Sequence, residues 1–216
     1  MSVPVIEPLG DSAVIVTFGS EMDRGLNELV ARRAESIRAA HVAGVTDVVA
    51  SYASLGVFFN PGDIRFETVR DFVWSVMSDE AKMPPPAPRS GKLVRIPTKY
   101  DGADLDWVAE RTGLPRHEVV DIHSAVEYRV LVIGFVPGFA YLGDLDARLH
   151  LPRRDAPRKR VNAGSVAIAE FQTGIYPSNT PGGWHLIGST AESMFDARRD
   201  PPALLAVGDT VIFEPL

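Results

Sequence analysis

Arg148, Arg153, Arg154, Arg158, Lys159 and Arg160 crowd one stretch of the chain against a single acid, Asp155. The stretch carries a charge of +5 within a chain whose net charge is −6. A guanidinium is a planar fork that matches a carboxylate or a phosphate, so an anion-binding segment is one expectation here. A solvated loop, or a protein contact held by salt bridges, fits the same pattern. Gln172, Thr173 and Tyr176 follow beside Gly174. They are neutral hydrogen-bonding side chains, suited to holding an amide or a small carboxylic acid. They would serve equally to pin a loop to a β scaffold. His185 stands next to Trp184 and is placed to donate a hydrogen bond or a proton, with a structural role as the alternative. Trp184 reads as a packing wall rather than a catalyst.

Other chemistries find little support. His41, His117, His123, His150 and His185 show no metal-binding pair of familiar spacing, so no metal site is expected. Ser165 lacks the context of a nucleophile elbow. The segment Gly134-Phe-Val-Pro-Gly-Phe-Ala-Tyr-Leu-Gly143 is glycine-rich, but no Lys-Ser or Lys-Thr follows its glycines, so it is not a phosphate loop. The chain has no cysteine, which excludes disulfides, thiolate zinc sites and a cysteine nucleophile. Its acidic balance argues against nucleic acid as a partner.

The elements that must position these residues are legible in outline. Ala13–Phe18 is β-branched and apolar, as a strand requires. Ser20 and Asp23 fit a capping box, and Met22, Leu26, Val30, Ala34 and Ile37 form one apolar stripe at helical spacing. Val45–Ser51 and Leu55–Phe59 suggest two more strands, and Phe66, Val69, Phe72, Val73 and Val76 a second helix. This order predicts a small N-terminal α/β sandwich over residues 1–82, with its helices on one face of a sheet. Met83-Pro-Pro-Pro-Ala-Pro-Arg-Ser-Gly91 suits neither helix nor strand and is expected to be a stiff linker over 83–91. A second domain then occupies 92–216. It opens with a strand at Lys92–Pro97, followed by short helices at Asp104–Gly113 and Pro115–His123. Asp104, Asp106, Glu110, Glu118 and Asp121 on those helices would repel phosphates, which disfavours helix-turn-helix DNA binding. Short strands at Tyr128–Gly134, Ser165–Ala169, Ile175–Tyr176, His185–Ile187 and Thr210–Phe213, separated by glycine and proline turns, suggest a barrel. The fold class expected is α+β. The N-terminus lacks the basic and apolar regions of a signal peptide, and no apolar run approaches the roughly 20 residues needed to span a bilayer, so a cytoplasmic chain with no membrane partner is expected.

From Gly134 to Ser189 the chain resembles the KipI family, also called the allophanate hydrolase subunit 1 family. The resemblance rests on Gly134–Gly143, on Pro152-Arg153 and Pro157-Arg158, on Ala163-Gly-Ser-Val166, on Gln172-Thr-Gly-Ile-Tyr-Pro177, and on Pro181-Gly-Gly-Trp-His-Leu-Ile-Gly188. It extends more loosely from about Ile96 to Phe213. It implies a cyclophilin-like β-barrel after the smaller domain. It also implies one half of a two-chain machine whose partner is a KipA-like (allophanate hydrolase subunit 2-like) chain. In the 5-oxoprolinase version a third subunit joins, and ATP hydrolysis drives the opening of 5-oxoproline to glutamate. Other family members are implied to inhibit a sensor histidine kinase without catalysis, or to serve a carboxyltransferase in urea or allophanate metabolism with biotin delivered by another protein. Site residues expected on this basis are His185 for catalysis and Arg153, Arg158, Gln172, Thr173, Tyr176, Gly183 and Trp184 for substrate, with ATP used by the assembly rather than bound by any motif of this chain.

Several positions depart from the family pattern. Asn162 stands where proline is usual, Glu170 where glycine is usual, Ser189 where arginine is usual and Ala191 where proline is usual. The change at Ser189 removes a cation and Glu170 adds an anion, both of which would weaken a grip on an acidic substrate.

Overall fold

The structure, a computed structural model, describes residues 4–20, 24–79 and 91–216. Met22 and Asp23, and residues 83–90 of the proline-rich segment, fall outside the described residues. The chain divides into two compact units, Met1–Pro88 and Arg89–Leu216.

In the first unit, strands β1 (Val5–Pro8), β2 (Ala13–Thr17), β3 (Val45–Ala50) and β4 (Ser54–Phe59) form an antiparallel sheet in the order β1-β2-β4-β3. Helices α1 (Arg24–Ala39) and α2 (Phe66–Ser78) pack on one of its faces. Alternation places Val14 and Val16, and Leu55, Val57 and Phe59, toward that face. Val30, Ala34 and Ile37 of α1 meet them with Val69, Val73 and Val76 of α2, so the apolar stripes are the core. β1 has no counterpart in the sequence expectations. Pro4 precedes it and Pro8 ends it, and a strand bounded by prolines is tolerated because it lies at the sheet edge.

The second unit is built on seven strands: β5 (Leu93–Thr98), β6 (Tyr128–Ile133), β7 (Ala140–Gly143), β9 (Ser165–Ala169), β10 (Gln172–Ile175), β12 (His185–Ser189) and β13 (Thr210–Pro215). Their order is β12-β9-β10-β7-β6-β13-β5. Only β13 and β5 run parallel. Just beyond β5, Lys99 exchanges two backbone hydrogen bonds with Ser189 at the end of β12, each 2.8 Å, which nearly closes the sheet into a barrel. The Ser189 hydroxyl donates to Asp101, and Lys99 pairs with the same carboxylate, so that carboxyl is held below its usual range. The interior holds Ile96, Val130, Leu142, Val166, Ile168, Ile175, Ile187, Val211 and Phe213. Helices α3 (Leu105–Thr112) and α4 (Arg116–Ser124) pack their apolar sides on the same core through Leu105, Val108, Val119 and Ile122. Gly113 ends α3 in the left-handed region, as its glycine stop requires. β8 (Arg158–Val161) and β11 (Thr180–Gly182) form a separate two-stranded ribbon. The fold is therefore the α+β arrangement of a small helix-backed sheet and a barrel-like sheet.

Candidate functional site

β9 and β10 have two faces. Val166 and Ile168 point into the barrel, so Ala167 and Ala169 point out, and they are joined there by Phe139, Val161, Tyr176 and Trp184. Phe139 meets Tyr141, Tyr176 and Trp184 edge-to-face, with ring centroids 4.8, 5.3 and 5.5 Å apart. Gly174 lets this wall close: a Cβ there would sit 3.2 Å from both the Phe139 and the Trp184 rings. Gly182 does the same for Tyr176, whose ring lies where a Cβ would go. Burial pushes the Tyr176 and Tyr141 hydroxyls up from their usual range, against the opposing pull of Arg153, so both remain neutral.

Beside this wall the arginine segment is tied down at two points. The Arg154 backbone N–H donates to the Gly183 carbonyl, and His185 Nε2 donates to the Pro152 carbonyl at 2.8 Å. Because a carbonyl can only accept, His185 carries its proton on Nε2, and Nδ1 is left as an acceptor. That Nδ1 is buried and has no partner among the described residues. Burial pushes the His185 pKa down, keeping the ring neutral near pH 7, and the nearby Asp104, Arg154 and Arg158 charges act on it as well. The Trp107 ring stacks on His185 with centroids 4.4 Å apart and an interplanar angle of 15°.

Asp104 joins these parts. Its Oδ1 accepts from Arg154 Nη1 at 3.1 Å and from Arg158 Nη2 at 2.6 Å, and its Oδ2 accepts from the Leu186 N–H at 2.7 Å. The Asp104 N–H donates in return to the Leu186 carbonyl, locking the start of α3 onto β12. Such close approach needs Gly102, where a Cβ would run into the backbone of Leu186 and Ile187. One carboxylate thus faces two guanidiniums, and Arg154 Nε and Arg158 Nη1 are buried donors without an acceptor among the described residues. The cluster has the chemistry of an anion receptor with a neutral proton acceptor beside it.

The expected site residues divide accordingly. Arg158, Tyr176, Gly183, Trp184 and His185 come together here. Gln172 is buried on β10, on the outward side with Gly174. Arg153 points to Glu170 at 3.4 Å and is more than half exposed. Thr173 faces the barrel interior, where His123 Nε2 lies 2.9 Å from its hydroxyl and the hydroxyl donates to the Ala167 carbonyl. Asp104 and Trp107 join the site without having been expected there, and Arg154, expected only as part of the basic stretch, joins with them. The available signal is the i, i+3 spacing of Asp104 and Trp107, which places them on one side of the first turn of α3. Two cavities lie elsewhere. One of about 260 Å³ is lined by Lys92, Arg199, Asp200, Pro201, Ala203 and Leu204, and one of about 370 Å³ lies along Ile37–Val48. Among the described residues no group of three or more His, Asp or Glu side chains could hold a metal ion. No helix among them is long and apolar enough to cross a membrane.

A family model described as carboxyltransferase domain, subdomain C and D, matches residues 4–205, and the chain belongs to that family. It is 38% identical to the 5-oxoprolinase subunit designated B in Bacillus subtilis (strain 168), over 96% of this chain and 91% of that protein. It is also 38% identical to the subunit of the same designation in Escherichia coli O157:H7, over 96% of this chain and 94% of that protein. Among solved structures, the crystal structure of TTHA0988 superposes with a TM-score of 0.83 at 34% identity, covering 94% of this chain and 40% of that one.

Proposed function

We propose that this chain is one subunit of an ATP-dependent amidohydrolase of the 5-oxoprolinase type, working with a KipA-like chain and a third subunit. The observation that carries this is the near end-to-end similarity to the corresponding 5-oxoprolinase subunit of two bacteria. The site chemistry supports it. 5-Oxoproline bears a carboxylate, which suits the arginines, and a lactam N–H, which suits an unprotonated histidine nitrogen. The aromatic wall of Phe139, Tyr176 and Trp184 offers an apolar side for the ring methylenes. Glu170 is paired with Arg153, which moderates the anion added at that departure from the family pattern.

ATP supplies the driving force for opening an unstrained lactam. The segment Gly134–Gly143 does not fit a nucleotide: it presents an exposed Phe135 and a packed Phe139, with no lysine or hydroxyl pattern for phosphates. In this reading the assembly uses ATP, and no nucleotide motif is assigned to this chain. In this chain Arg158 holds the substrate carboxylate, Gln172 and Tyr176 shape the wall, and His185 accepts a proton-bearing group. In the reconstituted assembly, His185→Gln is expected to lower 5-oxoproline turnover about a hundredfold, the scale of a lost acid–base group. Arg158→Gln is expected mainly to raise KM. Unchanged kinetics in Arg158, Gln172, Tyr176 and His185 variants would remove these four from the site.

A further inference from the structure

We propose that Asp104 is the positioning residue of this site, holding Arg154 and Arg158 as one cationic fork beside His185, and that the fork receives the carboxylate of the small-molecule ligand. The identity of that ligand rests on the function proposed above; the fork does not.

Asp104 stands at the N-cap of α3, where an aspartate ordinarily accepts a backbone N–H of its own helix. It makes no such bond. Both carboxylate oxygens are turned away from the helix, one to two arginines and the other to the Leu186 N–H. The residue is 4% exposed, so this is a buried ionic group and not a surface pair. Two guanidiniums on one carboxylate leave one positive charge in excess. They also leave two donors unmet, Arg154 Nε and Arg158 Nη1. A second anion neutralises the excess charge, accepting from the parts of the two guanidiniums that reach the surface. The arginine side chains remain 34% and 23% exposed, so each reaches from the buried carboxylate to the surface. Arg153, the neighbour of Arg154 in the same basic stretch, is engaged by Glu170 and is not part of the fork.

His185 gives the second half of the recognition. Its residue exposure is 2%, and its unpartnered Nδ1 accepts a donor. Trp107, one turn after Asp104, covers the ring and fixes its plane. The ligand class that satisfies both halves is a small carboxylate carrying an N–H donor.

The test uses the full chain, isotope-labelled, with acetate and 5-oxoproline as probes and the arginine Nε–H and His185 ring nitrogens as reporters. Both probes are expected to shift Arg154 and Arg158, and only 5-oxoproline to shift His185 Nδ1. Asp104→Asn is expected to weaken both probes by about tenfold, the cost of releasing a charge-assisted pair, while Lys159→Gln, exposed in the same basic stretch, binds as the wild type does. Asp104→Asn should also move the His185 titration further down, and Arg154→Gln should move it up. An aspartate that did not position the two arginines would, on losing its charge, leave acetate binding at the fork unchanged or tighter. If Asp104→Asn does not fold, Arg154→Gln decides by the same binding readout. Acetate binding at the fork with no better response to 5-oxoproline supports the fork and counts against the 5-oxoproline assignment. No arginine shift with either probe, or wild-type binding by Asp104→Asn or Arg154→Gln, overturns the proposal.

Discussion

Glu170 adopts φ +57°, in the left-handed region where a side chain other than glycine is strained. It sits at the tight turn between β9 and β10, with its N–H bonded to the Leu151 carbonyl. That backbone geometry is the physical reason glycine suits this position. Against the strain stands a half-exposed ion pair to Arg153, worth under about 1 kcal/mol. Glu170→Gly is therefore expected to raise stability by about 0.5–1 kcal/mol, measured as a higher urea midpoint. His123 is the opposite kind of residue, fully buried and satisfied. Tyr100 meets its Nδ1 at 2.7 Å and Thr173 its Nε2 at 2.9 Å, and burial pushes its pKa down to about 3. The unfolded chain takes a proton near pH 6.5 that the folded chain refuses until about 3, so stability falls as pH drops through that window. Between pH 6.5 and the carboxylate range, His123→Gln is expected to flatten the pH dependence of the urea midpoint. At this scale the sequence displays the types of the site residues but not their pairings. Asp104 lies 50 and 54 positions from the two arginines it binds, and no local spacing records such a contact. Thr173 shows the same limit, since a period of two separates it from Gln172 and Gly174 but does not say which face looks inward.

The site depends on how α3 meets β12. Gly102 brings the backbones together, Asp104 and Leu186 exchange hydrogen bonds, and one turn later Trp107 lies over His185. Gly102→Ala should push the two elements apart, costing about 3 kcal/mol of stability, as overpacking against rigid backbone does. It should also separate Asp104 from Leu186, so the Leu186 amide becomes faster in hydrogen exchange. The longer elements are legible because their apolar periodicity matches their burial: α1, α2, β4, β6 and β13 fall close to their expected bounds. β7, β8 and β11 are not. Ala140–Gly143 is a four-residue strand inside a glycine-rich signature, Arg158–Val161 is a basic run, and Thr180–Gly182 is mostly proline and glycine. Each is extended because a partner strand supplies its hydrogen bonds, which is a tertiary cause that local composition does not display.

At the scale of the molecule, each unit has a buried core of its own, and the candidate site belongs wholly to the second. The site presents two arginines on one buried carboxylate beside an aromatic wall. Phe135, 59% exposed on the signature loop with its ring edge against Phe139, adds apolar surface beside that wall. The most direct test of the proposed function is ATP-dependent glutamate release from 5-oxoproline by this chain coexpressed with a KipA-like chain and the third 5-oxoprolinase subunit. The account predicts glutamate formation that requires ATP and stops when this chain is omitted. A stable complex that releases no glutamate from 5-oxoproline, or glutamate release that persists without this chain, would contradict it.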